Sequence, residues 1–409
     1  MIDGQRIAFL CHPYHRGGVT RWMADAAVTY AAQGLEVYFV TPQPVKEFHS
    51  AKGRETLIQL IGKKANNVKV ISSKVGYEFE FGTPEYRCYV YKKLIAQLPQ
   101  GTPIILSDDK VVWESAAQLY KNYPIVGVLH ADEEHYYKLA EEFFEKVSVL
   151  VCVSRRIDYK TGQAVPGFDP ARLFTIPCGI CIPPYTRAVN ADETVHLVYV
   201  GRVSNYQKRA GDLVKICMKL AMTNLKFRLT VIGEGDAVAQ MKNNFKTAGL
   251  EKNVVFCGWL SQKEVAGHLA QSDILLLTSD FEGTPIAMME ALAAGCGMVG
   301  TRVSGIEDYE QHPLAADCLR VFEVGDIDAA VNKISELVSV PRSVREQSAR
   351  KMAESEFSME VCLKKYQDAI QLIPVVHNEK LPEISLPITS LIVSRLTALL
   401  RSVRVSFSK

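Results

Sequence analysis

DILLLTSDFEGTPIAMMEALAAGCGMVGT, residues Asp273–Thr301, decides the fold. The short apolar run in DILLLTS, ending at Ser279, fits a strand buried on both faces. PIAMMEALAAG reads as a helix, with Thr284 able to cap it, Pro285 suited to its first turn and Gly295 able to end it. GMVGT reads as the next strand. Strand, helix and strand in one stretch make a unit of a parallel sheet. Glu282 and Glu290, with seven residues between them, stand at the mouth of that helix. Glu282 falls in the loop before the cap, and Glu290 in the second turn, roughly 7–8 Å along the axis. The free N–H groups at the helix start and the helix dipole offer an anion site between the two carboxylates. A carboxylate, a phosphate-binding helix end and a second carboxylate suit a sugar nucleotide. Taken alone, the pair reads more readily as a solvated loop residue and a surface helix residue.

The same alternation runs outward in both directions. RIAFLCHP, LEVYFVTP, VKVIS, PIILSD, PIVGVLH and VSVLVCVS supply strands in the first half; HLVYVGR, FRLTVIGEG, NVVFCGW, DILLLTS and GMVGT supply them in the second. Helical patterns such as Arg21–Gln33 and Ala210–Met222 lie between them, which implies parallel sheets. A chain of 409 residues is too long for one ordinary core. Pro183-Pro184 and a polar stretch precede a fresh strand at His196, which puts a linker at about 180–194. The expected architecture is α/β: two Rossmann-like, doubly wound parallel-sheet domains facing a central cleft. Their bounds are 1–182 and 183–375, with a linker and tail over 376–409. The helical segment Ser358–Ile373 is expected to close the second domain. Ligands in such sheets bind beyond the carboxyl ends of the strands.

Composition narrows the function classes. Hydrophobic residues make up 48% and charged residues 22%, as in an ordinary globular protein, and a net charge of +2 gives no reason to expect nucleic acid. The ten cysteines are scattered, mostly in apolar runs, which fits reduced thiols in a cytoplasmic protein. Cys178 and Cys181 form a lone Cys-x-x-Cys with no second pair at metal spacing, so no metal site is expected. The first residues read as a strand and not as a signal peptide, and no apolar run is long enough to span a membrane. SDDK and HADEE hold acidic pairs that read as solvated turns and helix starts. GEGDAV lacks the third glycine of a dinucleotide fingerprint and sits at the second strand of its domain, so no dinucleotide cofactor is expected.

The last segment differs from the rest. From Ile384 to Lys409 there is no acidic residue, while Arg395, Arg401, Arg404 and Lys409 are basic. Ile388, Leu391, Ile392, Leu396, Leu399 and Val403 recur at helical spacing. A basic amphipathic helix of this kind can lie in the headgroup region of an anionic membrane. The alternative is a helix packed on the protein or on a second subunit.

Two further clusters join the glutamates. YVGRVSNYQKR sets Arg202 at the end of a strand and Lys208 six residues on, two cations able to clamp a pyrophosphate and take up leaving-group charge. HRGGVTRWMADAA puts Gly17-Gly18 between a strand and a helix, where backbone can approach a ligand closely.

Together these residues resemble the retaining glycosyltransferases of the two-Rossmann (GT-B) type with the E-x7-E signature, the group 1 or family 4 enzymes. The resemblance covers about residues 5–375, and its elements follow the family's order: GGVTR, VLH ending at His130, VCVS, IPCGI, VGRVSNYQKR, VIGEGD, VVFCGWLSQKEV and SDFEGTPIAMMEALAAG. Cys178 stands where the family usually has Asn, and Arg209-Ala210 follows Lys208 where a Gly is common. The resemblance implies that Arg202 and Lys208 bind the donor diphosphate and that Glu290 holds ribose hydroxyls. Glu282 would lie by the transferred sugar, with Gly283, Thr284, Pro285 and Ile286 around sugar and phosphate. Backbone at Gly258, Trp259 and Leu260 would meet the base. Gly17 and Gly18 would approach from the other domain, and His130 would sit near the sugar at the cleft floor, although a histidine ending a strand is also an ordinary core residue. It also implies no metal and no cofactor beyond the nucleoside-diphosphate-sugar. The expected activity is hexosyl transfer to an acceptor hydroxyl, with a membrane-associated glycan or lipid-linked acceptor of cell-surface polysaccharide or lipopolysaccharide suggested by the tail. That would put a peripheral protein at the cytoplasmic face of the inner membrane, in contact through residues 384–409. Two alternatives remain: a soluble acceptor with the tail making a homo-oligomer, or a catalytically silent sugar-nucleotide-binding scaffold.

Overall fold

The computed structural model describes residues 6–14, 17–45, 56–65, 67–184, 194–373 and 379–407, with side chains as far as Arg401. Most of the expected linker at 180–194 lies outside these residues.

Among the described residues, nine strands belong to the first part of the chain: β1 (Arg6–Leu10), β2 (Glu36–Val40), β3 (Gln43–Pro44), β4 (Lys69–Ile71), β5 (Lys74–Val75), β6 (Ile104–Leu106), β7 (Ile125–Leu129), β8 (Val149–Cys152) and β9 (Leu173–Thr175). Seven form one parallel sheet in the order β4-β2-β1-β6-β7-β8-β9, and β3 pairs with β5 beside it. Six more follow: β10 (Val195–Val200), β11 (Phe227–Ile232), β12 (Val254–Gly258), β13 (Ile274–Leu277), β14 (Gly297–Thr301) and β15 (Leu319–Phe322). These make a second parallel sheet, β12-β11-β10-β13-β14-β15. The two doubly wound sheets are those the sequence predicts. Their centres are apolar runs buried along their whole length, as in β6, β7, β8, β13 and β14. Such strands need cover on both faces, which the crossover helices give.

Each sheet winds outward both ways from its first strand. The order reverses between β1 and β6 in one sheet and between β10 and β13 in the other. These reversals open crevices beyond the carboxyl ends of the strands, where ligands settle in open α/β sheets. Gly17-Gly18 follows β1, Arg202 and Lys208 follow β10, and Glu282 follows β13, so all of them leave strands that flank a reversal.

Three expectations need correction. The strands β9 and β15 close the edges of the two sheets and are not among the runs read from the sequence. The helix Met359–Gln371 does not merely close the second domain. It lies against the helix Gly18–Ala32 of the first, where the Tyr30 hydroxyl donates to the Leu363 carbonyl at 2.9 Å and Trp22 meets Tyr366 ring to ring. A parallel bridge between Ile180 and Ser358 ties its start to the same side. Third, the helix after Glu282 is not capped by Thr284, as described below. The tail forms the helix Ile388–Phe407, and among the described residues no helix is long and apolar enough to cross a membrane.

Candidate functional site

The loop after β13 carries Glu282 into the space between the sheets. Its carboxylate accepts from Lys208 Nζ at 2.5 Å and from Ser279 Oγ at 2.6 Å, and it is 6% exposed. Lys208 reaches it from the loop after β10. That loop is fastened to the Glu282 loop: Asp280 N donates to the Gln207 carbonyl at 2.8 Å, Gln207 Nε2 to the Phe281 carbonyl at 3.1 Å, and Thr278 Oγ1 to the Lys208 carbonyl at 2.8 Å. A buried carboxylate needs such partners, because desolvation otherwise forces it neutral.

Arg202 is exposed at the same strand end, and its carbonyl accepts from the Tyr199 hydroxyl at 2.6 Å. Burial pushes that hydroxyl's pKa up; Glu282 adds to the rise and Arg202 opposes it, so both charges lie near one phenol.

The helix Ile286–Ala293 begins at a Pro285 N-cap that has no side-chain capping bond. Thr284 instead donates its hydroxyl across the cleft floor to the carbonyl of Val153, just beyond β8. Its first N–H groups have no carbonyl four residues back, which leaves the positive end of the helix open to an anion. The start of the Gly18–Ala32 helix faces it: a Cβ on Gly18 would lie 3.2 Å from Ile286 Cγ1. Two helix N-termini, one from each domain, therefore meet beside the end of the loop that carries Glu282. Gly17 precedes them at φ 141°, backbone that favours glycine. At the other end, Gly295 takes φ 75°, and Cys296 N and Gly295 N donate to the carbonyls of Ala291 and Leu292, each at 2.9 Å. This paired closure ends the helix where the sequence predicts.

Glu290 is half-buried on the second turn. Burial raises its pKa, while the Arg21 guanidinium and a hydrogen bond from Gln262 pull the other way. Arg21 comes from the first domain, where it also pairs with Asp25 at 3.2 Å.

His130 follows β7 on the cleft floor. It is 8% exposed, and desolvation lowers its pKa to about 3. Trp22 lies edge-on at 5.5 Å between ring centroids, Cys178 Sγ stands 3.9 Å from Nδ1, and Nε2 is buried without a hydrogen-bond partner among the described residues. The backbone oxygen of His130 abuts Gly283, where a Cβ would come within 1.9 Å of it. The other half of the Cys-x-x-Cys is apart in character: Cys181 is exposed, with Thr29 Oγ1 at 3.8 Å.

The Gly258–Leu260 segment lies at the end of β12, two strands from the reversal. Gly258 has φ 68° and its carbonyl accepts from Gly233 N at 2.7 Å; Trp259 is 71% exposed and Leu260 half-buried. The structure thus brings Lys208, Glu282, Gly283, Thr284, Ile286, Gly18 and His130 close together, with Arg202 and Glu290 flanking and residues 258–260 farther along the sheet edge. The sequence reading missed Ser279, Arg21 and Gln262. Only Arg21 carried a signal, a cation one turn into the helix that Gly17-Gly18 opens.

Residues 187–355 match the family described as glycosyl transferases group 1. Amylovoran biosynthesis glycosyltransferase AmsK of Erwinia amylovora is 28% identical over 44% of this chain and 45% of its own length. N-acetyl-alpha-D-glucosaminyl L-malate synthase of Bacillus anthracis is 31% identical over 40% of this chain and 43% of its own. The lipopolysaccharide 1,6-galactosyltransferase of Salmonella typhimurium is 29% identical over 42% and 45%. The matched stretch spans less than half the length of these relatives. Among solved structures, the lipopolysaccharide outer core galactosyltransferase WaaB superposes with a TM-score of 0.63 at 18% identity, covering 89% of this chain and 99% of that one. The pneumococcal O-GlcNAc transferase GtfA, in complex with UDP and GlcNAc, gives 0.69 at 12% identity, covering 91% and 100%. The chain has the GT-B fold, and its residues 187–355 are similar to the group 1 glycosyltransferases.

Proposed function

We propose that this protein is a retaining glycosyltransferase that moves a hexosyl group from a nucleoside-diphosphate-sugar to an acceptor hydroxyl without a metal ion. Residues 183–375 hold the donor and residues 1–182 the acceptor. The observation that carries the reading is the part-buried Lys208–Glu282 ion pair, in the loop that leads to a helix N-terminus faced by that of the Gly18–Ala32 helix. The donor diphosphate takes the helix ends, Arg202 and Lys208. Drawing Lys208 onto phosphate releases Glu282 to accept hydrogen bonds from the sugar hydroxyls, and Glu290 takes the ribose. Gly17 and Gly18 let the first domain approach the phosphates, and backbone at 258–260 meets the base. His130 Nε2, neutral and unpartnered, gains a sugar hydroxyl.

In the transfer, the bond from the anomeric carbon to the diphosphate oxygen breaks and the acceptor oxygen bonds to that carbon on the same face. The acceptor proton passes to the leaving phosphate oxygen, whose charge Arg202, Lys208 and the helix dipoles offset. Glu282 positions the sugar and stabilises developing positive charge. The relatives named for amylovoran and lipopolysaccharide support a membrane-associated glycan or lipid-linked acceptor, used by a peripheral protein at a cytoplasmic membrane face. The relative named for L-malate supports a second reading, a soluble acceptor.

Calorimetric titration with UDP, GDP, ADP, CMP and dTDP in EDTA tests the donor site. One nucleoside diphosphate is expected to bind, with Lys208→Ala weakening it about tenfold or more through loss of a charge-assisted contact. Binding by none of them, or turnover unchanged in both Lys208→Ala and Glu282→Ala, would overturn the assignment.

A further inference from the structure

The helix Ile388–Phe407 is mounted with the opposite polarity to an ordinary surface helix. It packs on the helices Tyr77–Phe81 and Pro84–Ile95 of the first domain. The side it turns inward is small and polar: Ser394 and Ala398 are buried, and Ser390, Leu391 and Thr397 half-buried. Ser394 Oγ accepts from Thr83 N at 3.2 Å, and a Cβ on Gly82 would lie 2.2 Å from that oxygen. The close approach therefore depends on small residues on both sides. The side turned outward is apolar: Ile388, Ile392, Val393, Leu396, Leu399 and Leu400 are each more than half exposed. Surface helices normally bury that stripe and expose the polar one, and an exposed apolar face of this kind marks an interaction site.

Charge selects the occupant. The segment 384–409 has no carboxylate, and its cations include Arg395 and Arg401. Arg395 is 65% exposed and only loosely paired with Glu78 at 3.7 Å; Arg401 is exposed and donates to the Phe81 carbonyl at 3.3 Å. A second copy seated on this stripe would bring like charges together with no acid of the segment to answer them. Anionic lipid headgroups answer them, while acyl chains cover the leucines. Tyr77, on the neighbouring helix, is also exposed, a residue type suited to the headgroup level.

The location matters as much as the chemistry. The Tyr77–Phe81 helix follows β5, and β3 and β5 extend the chain beyond the carboxyl ends of β2 and β4. That is the edge of the first sheet from which Gly17, Gly18 and His130 face the cleft. We propose that the outward face of the 388–407 helix docks in the headgroup–acyl boundary of an anionic bilayer, setting the acceptor-side rim of the cleft at the lipid surface. Docking stands on the helix alone; delivery of a lipid-linked acceptor to the cleft rests on the transferase reading.

Flotation of the full chain with phosphatidylcholine vesicles, with and without phosphatidylglycerol, tests it. The chain is expected to float with the anionic vesicles and to be released by salt. The triple variant Ile392→Ser, Leu396→Ser, Leu400→Ser, changed only at exposed positions, is expected to lose about tenfold or more of that binding as apolar area is removed. Its nucleotide titration is expected to match the parent's, so failure of docking and failure of the donor site register separately. Equal flotation of parent and variant would overturn the proposal, as would no flotation by either. A parent that forms a dimer in sedimentation equilibrium while the triple variant stays monomeric would give the face to a second copy and overturn it too.

Discussion

Arg209 shows how one residue can hold a site in shape. It is the only non-glycine with positive φ among the described residues, at φ 46° and ψ 45°, and it immediately follows Lys208. An L-residue in this left-handed region costs roughly 1–2 kcal/mol. Two ion pairs oppose that cost: Arg209 Nε to Asp212 at 2.7 Å, and a terminal guanidinium nitrogen to Asp280 at 3.3 Å, two residues before Glu282. Arg209→Gly removes the strain along with the pairs, whereas Arg209→Ala keeps the strain and loses them. Urea unfolding is expected to place the alanine variant about 1 kcal/mol below the glycine variant; equal stabilities would mean that the left-handed backbone at position 209 carries no strain. His130 makes a second residue-scale prediction. Its folded pKa of about 3 lies below the usual histidine value, so between the two the unfolded chain binds a proton that the folded chain refuses. Stability therefore falls as pH drops through that window, by up to about 1.4 kcal/mol per pH unit for one group. His130→Gln should flatten the slope of unfolding free energy against pH between about 6 and 4. An unchanged slope would mean that the imidazole is hydrated.

At the scale of elements, legibility in the sequence followed burial. Strands such as ILLL of β13 and IVGVL of β7 are apolar on both faces and could be read directly. The edge strands could not: β9 has three half-buried residues, and β15 carries Arg320 in its short run. The helix Ile286–Ala293 and its Gly295 ending were legible because the glycine, the proline and the apolar run act locally. Thr284 misled for the opposite reason, since its hydroxyl has a distant acceptor, Val153, that no local pattern announces. The spacing of Glu282, Glu290, Arg202 and Lys208 was visible in the sequence, and the structure joins Lys208 to Glu282. Ser279 was not visible as their companion, because a serine ending a strand looks the same with or without a carboxylate to serve. The tail's period was legible, but the side it turns inward was not. That choice depends on Gly82 and Thr83 admitting Ser394, 311 positions from Thr83 in the chain.

At the scale of the whole molecule, the Glu282 loop is where the two sheets touch. Asp132 N donates to the Glu282 carbonyl at 3.0 Å, and the Ser154 and Ser304 hydroxyls meet at 2.5 Å. Arg156 Nε pairs with Glu307 at 2.6 Å, and Arg155 N donates to Asp308 at 2.8 Å. The helix Met359–Gln371 returns to the first domain on the same chain, so the seam is held at several points. Gly283 is the tightest of them. A Cβ there would lie 1.9 Å from the His130 oxygen and 2.8 Å from Val153, and a Cβ on Gly305 would lie 1.5 Å from the Gly283 oxygen. The nearest partner is the His130 carbonyl, backbone of the other sheet's domain that cannot move aside as a side-chain tip such as the Val153 methyl would. Gly283→Ala must therefore part the sheets or shift the loop. Overpacking of this kind costs about 1–3 kcal/mol. The same shift would carry Glu282 away from Lys208 and weaken nucleoside diphosphate binding. Both effects are expected together, a lower unfolding free energy in urea and a weaker calorimetric titration, because one contact serves the seam and the site. A Gly283→Ala protein that keeps both parental values would show that the sheets do not meet at this loop.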